Sequence, residues 1–229
     1  MNIEAMCGRY TLGQEPNSLL DYFHLHGEVP VYHLSYNIAP TQQAPVVMQS
    51  DAQRECRLMR WGLIPSWSKG PDARFTMINA KAETIDEKPA YKRPFKRQRC
   101  LIPCDGFYEW QPQGNSKQPY YISKAEPGLI AMAGIWDRWE AGEVPIESFS
   151  IITTAANTFM QSIHERMPAI IGPDAFDDWL APANDDTVKL KDLLQPYAGS
   201  DLVMHPVSRE VNSPKNNSPA LIQPLNASG

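Results

Sequence analysis

Several features that would assign this 229-residue sequence to a specialised class are scarce or missing. It has only four cysteines, and its N-terminus lacks the apolar segment of a secretory signal. No uninterrupted apolar run reaches the roughly 18 residues needed to cross a bilayer. The formal net charge of -5 argues against a generally basic nucleic-acid coat. We therefore expect a reduced, soluble, cytoplasmic protein without membrane association, in which any nucleic-acid site is a local basic groove.

Metal-binding patterns are missing as well. Cys100 and Cys104 are separated by three residues, but no second cysteine or histidine pair follows at finger-like spacing. The sequence therefore predicts buried structural thiols at these two positions, no bound metal and no cofactor.

Short apolar runs bounded by Gly, Pro, Asn and Ser dominate what is present, in a chain with 21 prolines. Runs rich in Val, Ile, Tyr, Phe and Trp predict strands at 45–49, 55–61, 76–81, 99–103, 106–111, 119–123, 129–137, 148–154 and 202–207. Helices are predicted at 17–25, 156–163, 173–181 and 187–195. Strands outnumber helices, so the predicted fold class is α+β, with predominantly antiparallel sheet and a few peripheral helices.

The length fits one large domain better than two. We expect a leader or mis-assigned start at 1–6, a single domain at 7–225 and a tail at 226–229. The stretch from Asn212 onward is rich in Asn, Ser and Pro, which predicts an extended and partly mobile segment.

Cys7 follows a methionine and precedes a glycine, so it could become the first residue of a trimmed chain. An N-terminal cysteine carries an α-amine with a pKa of about 7.7 to 8.0 and a thiol with a pKa of about 8.5 on adjacent carbons. This 1,2-aminothiol can trap an aldehyde twice, first as an imine and then as a five-membered thiazolidine. With residues 1–6 attached, the Cys7 nitrogen is an amide and this route is closed.

The segment 88–99 contains six basic residues and no acidic one, in a chain that is acidic overall. A charge run is often no more than a solvated face. Here, Tyr91 and Phe95 lie between the cations, which also suits a groove that neutralises phosphates and stacks bases of a single strand.

Seven short blocks occur in one order along nearly the whole chain. They are Cys7-Gly8-Arg9-Tyr10, Tyr36-Asn37-Ile38-Ala39-Pro40-Thr41, Trp61-Gly62-Leu63-Ile64-Pro65-Ser66-Trp67, Ile78-Asn79-Ala80-Lys81-Ala82-Glu83-Thr84, Asp105-Gly106-Phe107-Tyr108-Glu109-Trp110, Ile163-His164-Glu165-Arg166-Met167-Pro168 and His205-Pro206-Val207-Ser208. With these blocks the chain resembles the SOS response-associated peptidase (SRAP) family, whose members form covalent crosslinks to abasic sites in single-stranded DNA. The resemblance implies a barrel-like core of curved sheets.

The resemblance also implies a DNA-repair role, in which the thiazolidine crosslink shields an abasic site. It makes Cys7 the nucleophile, Glu109 an acid and base for opening the sugar ring, His164 a proton shuttle and Asn79 a positioning amide. Each has a plainer interpretation from the residues alone: Glu109 as a solvent-facing strand residue, His164 as a helix-end charge and Asn79 as a turn residue.

The predicted DNA contacts are Arg9, Asn37, Trp67, Lys81 and Arg166. Arg9 and Arg166 each lie two residues from a proposed catalytic residue, and Trp67, which could also be a core residue, lies on a loop where it could stack on an unpaired base. Lys81 stands where the family commonly shows arginine. A lysine keeps the positive charge but cannot form the two parallel hydrogen bonds that an arginine makes to a phosphate. The expected partner is single-stranded DNA containing abasic sites, bound by a monomer that is nucleoid-associated while on DNA. AP-lyase-type and autopeptidase activities are also implied, although no serine, cysteine and histidine constellation argues independently for a peptidase.

Two other functions remain open from the residues. Amidotransferases with an N-terminal nucleophile also begin Met-Cys-Gly, but their His-x-Arg-Trp-Ala-Thr and Asn-Gly segments are missing here. The other alternative is a non-covalent single-strand binding module in which Cys7 is a buried structural thiol.

Overall fold

The computed structural model describes residues 7–50, 53–71 and 77–225. The predicted segments 1–6 and 226–229 lie outside the described residues. Within the described ranges, no helix is long and apolar enough to span a membrane.

Twelve strands account for most of the regular structure in the described part of the chain. They are β1 (Arg9–Leu12), β2 (Ser35–Ile38), β3 (Gln43–Ser50), β4 (Gln53–Trp61), β5 (Asn79–Lys81), β6 (Arg99–Cys104), β7 (Gly106–Gln113), β8 (Ser116–Lys124), β9 (Ile130–Trp139), β10 (Ile146–Ala155), β11 (Arg166–Pro168) and β12 (Leu202–Pro206). Nine of them overlap the nine predicted strands. The three strands that were not predicted are the short β1, β2 and β11.

The first sheet has the order β12-β8-β7-β1-β2 and is antiparallel throughout. The second contains a closed ring, because β10 pairs with β4, β4 with β3, β3 with β6, β6 with β9 and β9 again with β10. β5 and β11 are added to β10 outside this ring. The predicted antiparallel α+β fold with a barrel-like core is therefore confirmed.

The ring leaves little room for a side chain at Gly134, where a Cβ atom would lie 3.0 Å from the Ser150 backbone oxygen and would force the Ile102 side chain to shift. A Cβ atom at this position of β9 would lie 2.2 Å from the Cδ1 of Ile102 on the neighbouring strand β6. All six residues of β6 are buried, since one face lines the ring while α-helices cover the other. Because strands buried on both faces have continuous apolar sequences, they could be predicted from the sequence.

Among the described residues, four α-helices lie outside the sheets: α1 (Pro16–Phe23), α2 (Pro89–Arg97), α3 (Phe176–Leu180) and α4 (Thr187–Asp192). α1, α3 and α4 overlap predicted helices, and Asp186 caps α4 by accepting hydrogen bonds from the first-turn amides. The helix predicted at 156–163 was wrong, because only the 3₁₀ turn Met160–Ser162 forms there. α2 was not predicted.

The formation of α2 changes the interpretation of the basic segment 88–99. Phe95 is fully buried, and Tyr91 is half-buried against the core. Arg99 is also buried, and its guanidinium donates to five backbone carbonyls, among them that of Trp179 at 2.6 Å. The predicted stacking of bases on Phe95 was therefore wrong, because the apolar side of this amphipathic helix faces the protein interior.

The C-terminal segment is also more ordered than predicted. After Asn212 the chain forms a 3₁₀ turn at Pro219–Ile222, and a second 3₁₀ turn, Arg209–Asn212, directly precedes this segment. Val211 and Leu221 are buried with Tyr108 and Tyr121 in a small second core beside the first sheet. The segment is therefore packed against β7 and β8.

Candidate functional site

Cys7 and Glu109 are brought together by the pairing of β1 with β7, in which Arg9 lies opposite Tyr108. The Cys7 backbone N–H donates a hydrogen bond of 2.8 Å to Glu109 Oε1. Both residues are buried, with 0% and 1% of their surfaces exposed. The Glu109 carboxyl group is thus hydrogen-bonded to the backbone nitrogen of Cys7, the predicted nucleophile. The interpretation of Glu109 as a solvent-facing strand residue was wrong.

Burial shifts the protonation of both groups. It raises the pKa of Glu109 to about 8, although hydrogen bonds from the Cys7 and Trp110 backbone amides act in the opposite direction. Burial, followed by the negative field of Glu109, also raises the pKa of the Cys7 thiol well above its ordinary value. Glu109 can therefore take up and release a proton near neutral pH, whereas the thiol stays protonated.

Asn79 begins β5, which pairs in parallel with β10 in the second sheet. Its backbone carbonyl accepts a 3.2 Å hydrogen bond from the Tyr91 hydroxyl. The preceding residue, Ile78, accepts a 3.0 Å hydrogen bond from the Trp61 indole, and Trp61 packs edge-on against Tyr10 of β1. Trp61 thus connects the strand that follows Cys7 to the strand that carries Asn79.

His164 lies in the turn between β10 and β11. Its Nδ1 accepts a 3.0 Å hydrogen bond from the backbone N–H of Arg166, so a neutral ring carries its proton on Nε2. The amide of Gln111, two residues beyond Glu109 on β7, donates at 2.8 Å to the carbonyl of Ser162. This bond ties the Glu109 strand to the turn that carries His164.

Arg166 forms a forked ion pair with Glu83, and its Nη2 lies 2.8 Å from Oε2 of that carboxylate. The same Nη2 donates to the Thr153 carbonyl at 2.7 Å. The hydrogen bond from Arg166 is the main cause that lowers the pKa of Glu83. The sequence motif contained Glu83, but nothing in its spacing indicated that it would pair with Arg166.

The remaining residues that were predicted to contact DNA differ in their exposure to solvent. Trp67 is 68% exposed, on the loop after β4, and it lines a cavity of about 490 Å³ together with Asn79, Lys81 and Tyr91. Lys81 is exposed at the end of β5. The side chains of Trp67 and Lys81 thus face one shared surface beside Asn79.

Arg9 and Asn37 are more enclosed. Arg9 Nη1 donates to the Gly8 carbonyl at 2.7 Å, and burial lowers the pKa of its guanidinium. Asn37 is 2% exposed, and its amide donates to three carbonyls of the C-terminal segment, including Ser213 at 3.0 Å. In this arrangement the Asn37 amide anchors that segment.

Cys56, Cys100 and Cys104 are buried free thiols, as the structural interpretation of the last two predicted. Across residues 7–50, 53–71 and 77–225, no cluster of three or more His, Cys, Asp or Glu side chains could hold a metal ion.

Comparison with known sequences identifies a single family over most of the chain. A family model described as "SOS response associated peptidase (SRAP)" matches residues 6–214. The Bacillus subtilis protein named abasic site processing protein YoqW is 41% identical over 222 residues, which cover 95% of this chain and 99% of that protein. The Gallus gallus protein named abasic site processing protein HMCES is 37% identical over 227 residues, which cover 85% of this chain and 67% of that protein.

Solved structures agree with the sequence matches. A crystal structure of a protein from Bacteroides thetaiotaomicron, 27% identical, superposes with a TM-score of 0.85 over 96% of this chain and all of that one. A protein from Bordetella bronchiseptica, 26% identical, superposes with a TM-score of 0.75 over 88% of this chain and all of that one.

Proposed function

The chain belongs to the SRAP family, and on that premise we propose that it processes abasic sites in DNA. In the mechanism we propose, Cys7 as the first residue captures the ring-opened aldehyde of an abasic sugar in single-stranded DNA. The supporting observation is the 2.8 Å hydrogen bond between the Cys7 nitrogen and the buried Glu109 carboxyl group. This contact supports the proposal because it brings a carboxyl group, which can act as acid and base, within hydrogen-bonding distance of the nitrogen that would attack the aldehyde.

The capture proceeds in two bond-forming steps. The Cys7 amine adds to the aldehyde carbon to give a carbinolamine, which loses one water molecule to become an imine. The thiol sulfur then bonds to the imine carbon while the thiol proton ends on the nitrogen, which closes the thiazolidine. One water molecule is the only product released, and no oxidant or cofactor is needed.

We assign proton transfers in these steps to Glu109 and His164. The buried Glu109 carboxyl group can protonate the ring oxygen of the sugar and accept a proton from the attacking amine. Burial raises its pKa to about 8 in the chain that retains Met6, and the α-ammonium group of the processed chain moves this pKa to a lower value. His164, whose Nδ1 accepts a hydrogen bond from Arg166 and whose Nε2 is left for the substrate, can help the carbinolamine oxygen leave as water. Asn79 positions the sugar or amine through its amide.

The backbone at Cys7 supports its assignment as the first residue of the active form. Its φ of 39° lies in the left-handed region, which residues other than glycine seldom adopt and which often marks functional positions. Cleavage of the bond to Met6 would remove the carbonyl whose clashes restrict φ, and would turn the Cys7 amide into an amine. Residues 7–225 are then the functional domain. Cys7 becomes its first residue either by initiation at Met6 followed by methionine removal, or by processing of the longer chain, including autoproteolysis.

The DNA contacts follow from the surface beside Asn79. We propose that Trp67 stacks on an unpaired base, that Lys81 neutralises a phosphate, and that Arg9 and Arg166 hold the phosphates flanking the lesion. Asn37 then contributes through the C-terminal segment that it anchors. These contacts fit a monomer acting on a single strand.

A denaturing gel tests the capture directly. The processed protein is incubated with an oligonucleotide that carries one abasic site, and its intact mass is measured in parallel. We expect a shifted band that survives denaturation, that is lost in Cys7→Ala and that is retained in Cys56→Ala, which alters a buried thiol elsewhere. A shift seen only on native gels would contradict covalent capture and support simple single-strand binding.

The role of Glu109 can be separated from DNA binding. Glu109→Gln should slow crosslinking at neutral pH and leave non-covalent DNA affinity nearly unchanged, because the group handles protons rather than phosphates. An equal loss of both would contradict that role.

A further inference from the structure

The surface of α2 that faces away from the core is strongly basic, with Pro89 as its exposed uncharged residue. Lys88 precedes the helix, and Lys92 and Lys96 follow at intervals of four residues, so they lie in one row with a spacing of about 6 Å. Arg93 and Arg97 form a second row beside it. Tyr91, Pro94 and Phe95 occupy the opposite, inward side.

Most of these cations have no ion-pair partner in the part of the chain that the structure describes, although Lys92 contributes to the lowered pKa of Asp86. Arg97 pairs with Asp185 at 3.0 Å. For Lys88, Lys92, Arg93 and Lys96, no carboxylate among the described residues lies within ion-pair distance. Four cations on or directly before one short helix, none in an ion pair with a described residue, stand out in a chain whose formal net charge is -5. Mutual repulsion makes such a row unfavourable unless an anion binds it.

The basic row is continuous with the candidate site. The cavity that Asn79, Lys81 and Trp67 line is completed by the start of this helix, including Lys88 and Tyr91. Arg93 contacts the hydroxyl of Ser66, next to Trp67, at 3.5 Å. The helix and the loop that carries Trp67 therefore form one surface leading away from Asn79.

We propose that α2 is a phosphate-binding ridge that holds the nucleic-acid strand beyond the lesion. Lys88, Lys92 and Lys96 follow the backbone of the strand after it leaves the cavity. Phosphates of a stacked strand are about 3.4 Å apart, so the row supplies one cation for about every two phosphates. The ridge lengthens the bound segment without reading its sequence. It rests on the function proposed above.

The test compares strands of two lengths with a matched pair of charge variants. Strands of about 5 and about 20 nucleotides are chosen because single-strand sites usually span about 4 to 16 nucleotides. Lys92→Gln combined with Lys96→Gln removes two ridge charges. Lys124→Gln combined with Lys189→Gln removes the same net charge from positions away from the helix. Affinity is measured over a range of salt concentrations by fluorescence anisotropy, on strands without an abasic site.

For the long strand, the ridge variant should have a log-log salt slope shallower by about 1.4, since each single-strand phosphate contact contributes about 0.7. The short strand should show no such change, and neither strand should respond to the control variant. Equal slopes for the ridge variant and the unmodified protein on the long strand would overturn the ridge. An equal loss on both strand lengths would also overturn it, because the lysines would then act at the lesion.

Crosslinking distinguishes the ridge from the proposed function. The ridge variant should crosslink an abasic site in the short strand to the same extent as the unmodified protein does. If no capture occurs with either protein while the long-strand slope still depends on the lysines, the ridge stands and covalent capture fails.

Discussion

The raised pKa of Glu109 makes a quantitative prediction about stability. In the folded chain this carboxyl group has a pKa of about 8, compared with 4.5 ordinarily. Between these values the folded state keeps a proton that the unfolded state has lost, so stability must fall as pH rises. The loss is about 1.4 kcal/mol per pH unit and ends above about pH 8.

Glu109→Gln removes this dependence, because an amide does not ionise. The amide brings its own unpaired N–H group, which costs about 1 to 3 kcal/mol, but that penalty does not change with pH. Between about pH 5 and pH 9, the stability of the variant relative to the unmodified protein should therefore rise by about 4 kcal/mol. Such a change is large beside typical total stabilities of about 5 to 15 kcal/mol.

Urea unfolding at several pH values measures the effect in the chain that retains Met6. The control is Glu126→Gln, which alters an exposed carboxyl group and should shift the curve little. A stability difference between Glu109→Gln and the unmodified protein that stays flat with pH would refute the burial argument. In the processed chain the α-ammonium group next to Glu109 should lower its pKa and move the whole transition to lower pH.

Three further predictions concern the surroundings of the site. Trp67→Ala should lower single-strand affinity by about 1 to 3 kcal/mol in anisotropy titrations, while its melting temperature stays nearly unchanged because the side chain is 68% exposed; unchanged affinity would exclude base stacking. Glu83→Gln should release the Arg166 guanidinium for a phosphate, so that the salt slope of DNA binding steepens by about 0.7; a shallower slope would show that Glu83 is needed to orient Arg166. Asn37→Ala should lose about 1 to 3 kcal/mol of stability and expose the C-terminal segment to limited proteolysis; a cleavage pattern like that of the unmodified protein would contradict the anchoring role.

The strands that could be predicted are those whose own side chains favour extended structure. β6 after its first residue, Arg99, and the first six residues of β9 are continuous apolar runs that are buried on both faces. β1 and β11 are short and begin with arginine, and they are strands because of the partners beside them, β7 and β10. Local sequence carries little information about such pairing.

The helix α2 was missed for a related reason. Pro89 is compatible with a first helical turn, but Pro94 lies inside the helix, where proline normally breaks it. Tyr91 and Phe95, spaced four residues apart, were the helical signal, yet they were interpreted as base-stacking residues. Their burial against the core decides between the two interpretations.

The motif blocks predicted the candidate site residues, but which of these residues pair depends on the three-dimensional fold. The hydrogen bond between the Cys7 nitrogen and Glu109 joins residues 102 positions apart. The ion pair between Arg166 and Glu83 joins residues 83 positions apart. Neither pairing follows from spacing along the chain. The roles assigned to Cys7, Asn79, Glu109 and His164 remain predictions for the experiments above.

The burial of Cys7 also bears on how long its reactivity can last in a cell. Peroxides and alkylating agents attack the thiolate, and a fully buried thiol whose pKa is well above its ordinary value offers them almost none. An exposed N-terminal cysteine would be consumed by such compounds during the same oxidative stress that damages DNA. In the capture proposed above, burial beside Glu109 would protect this sulfur until the Cys7 nitrogen has bound the aldehyde carbon.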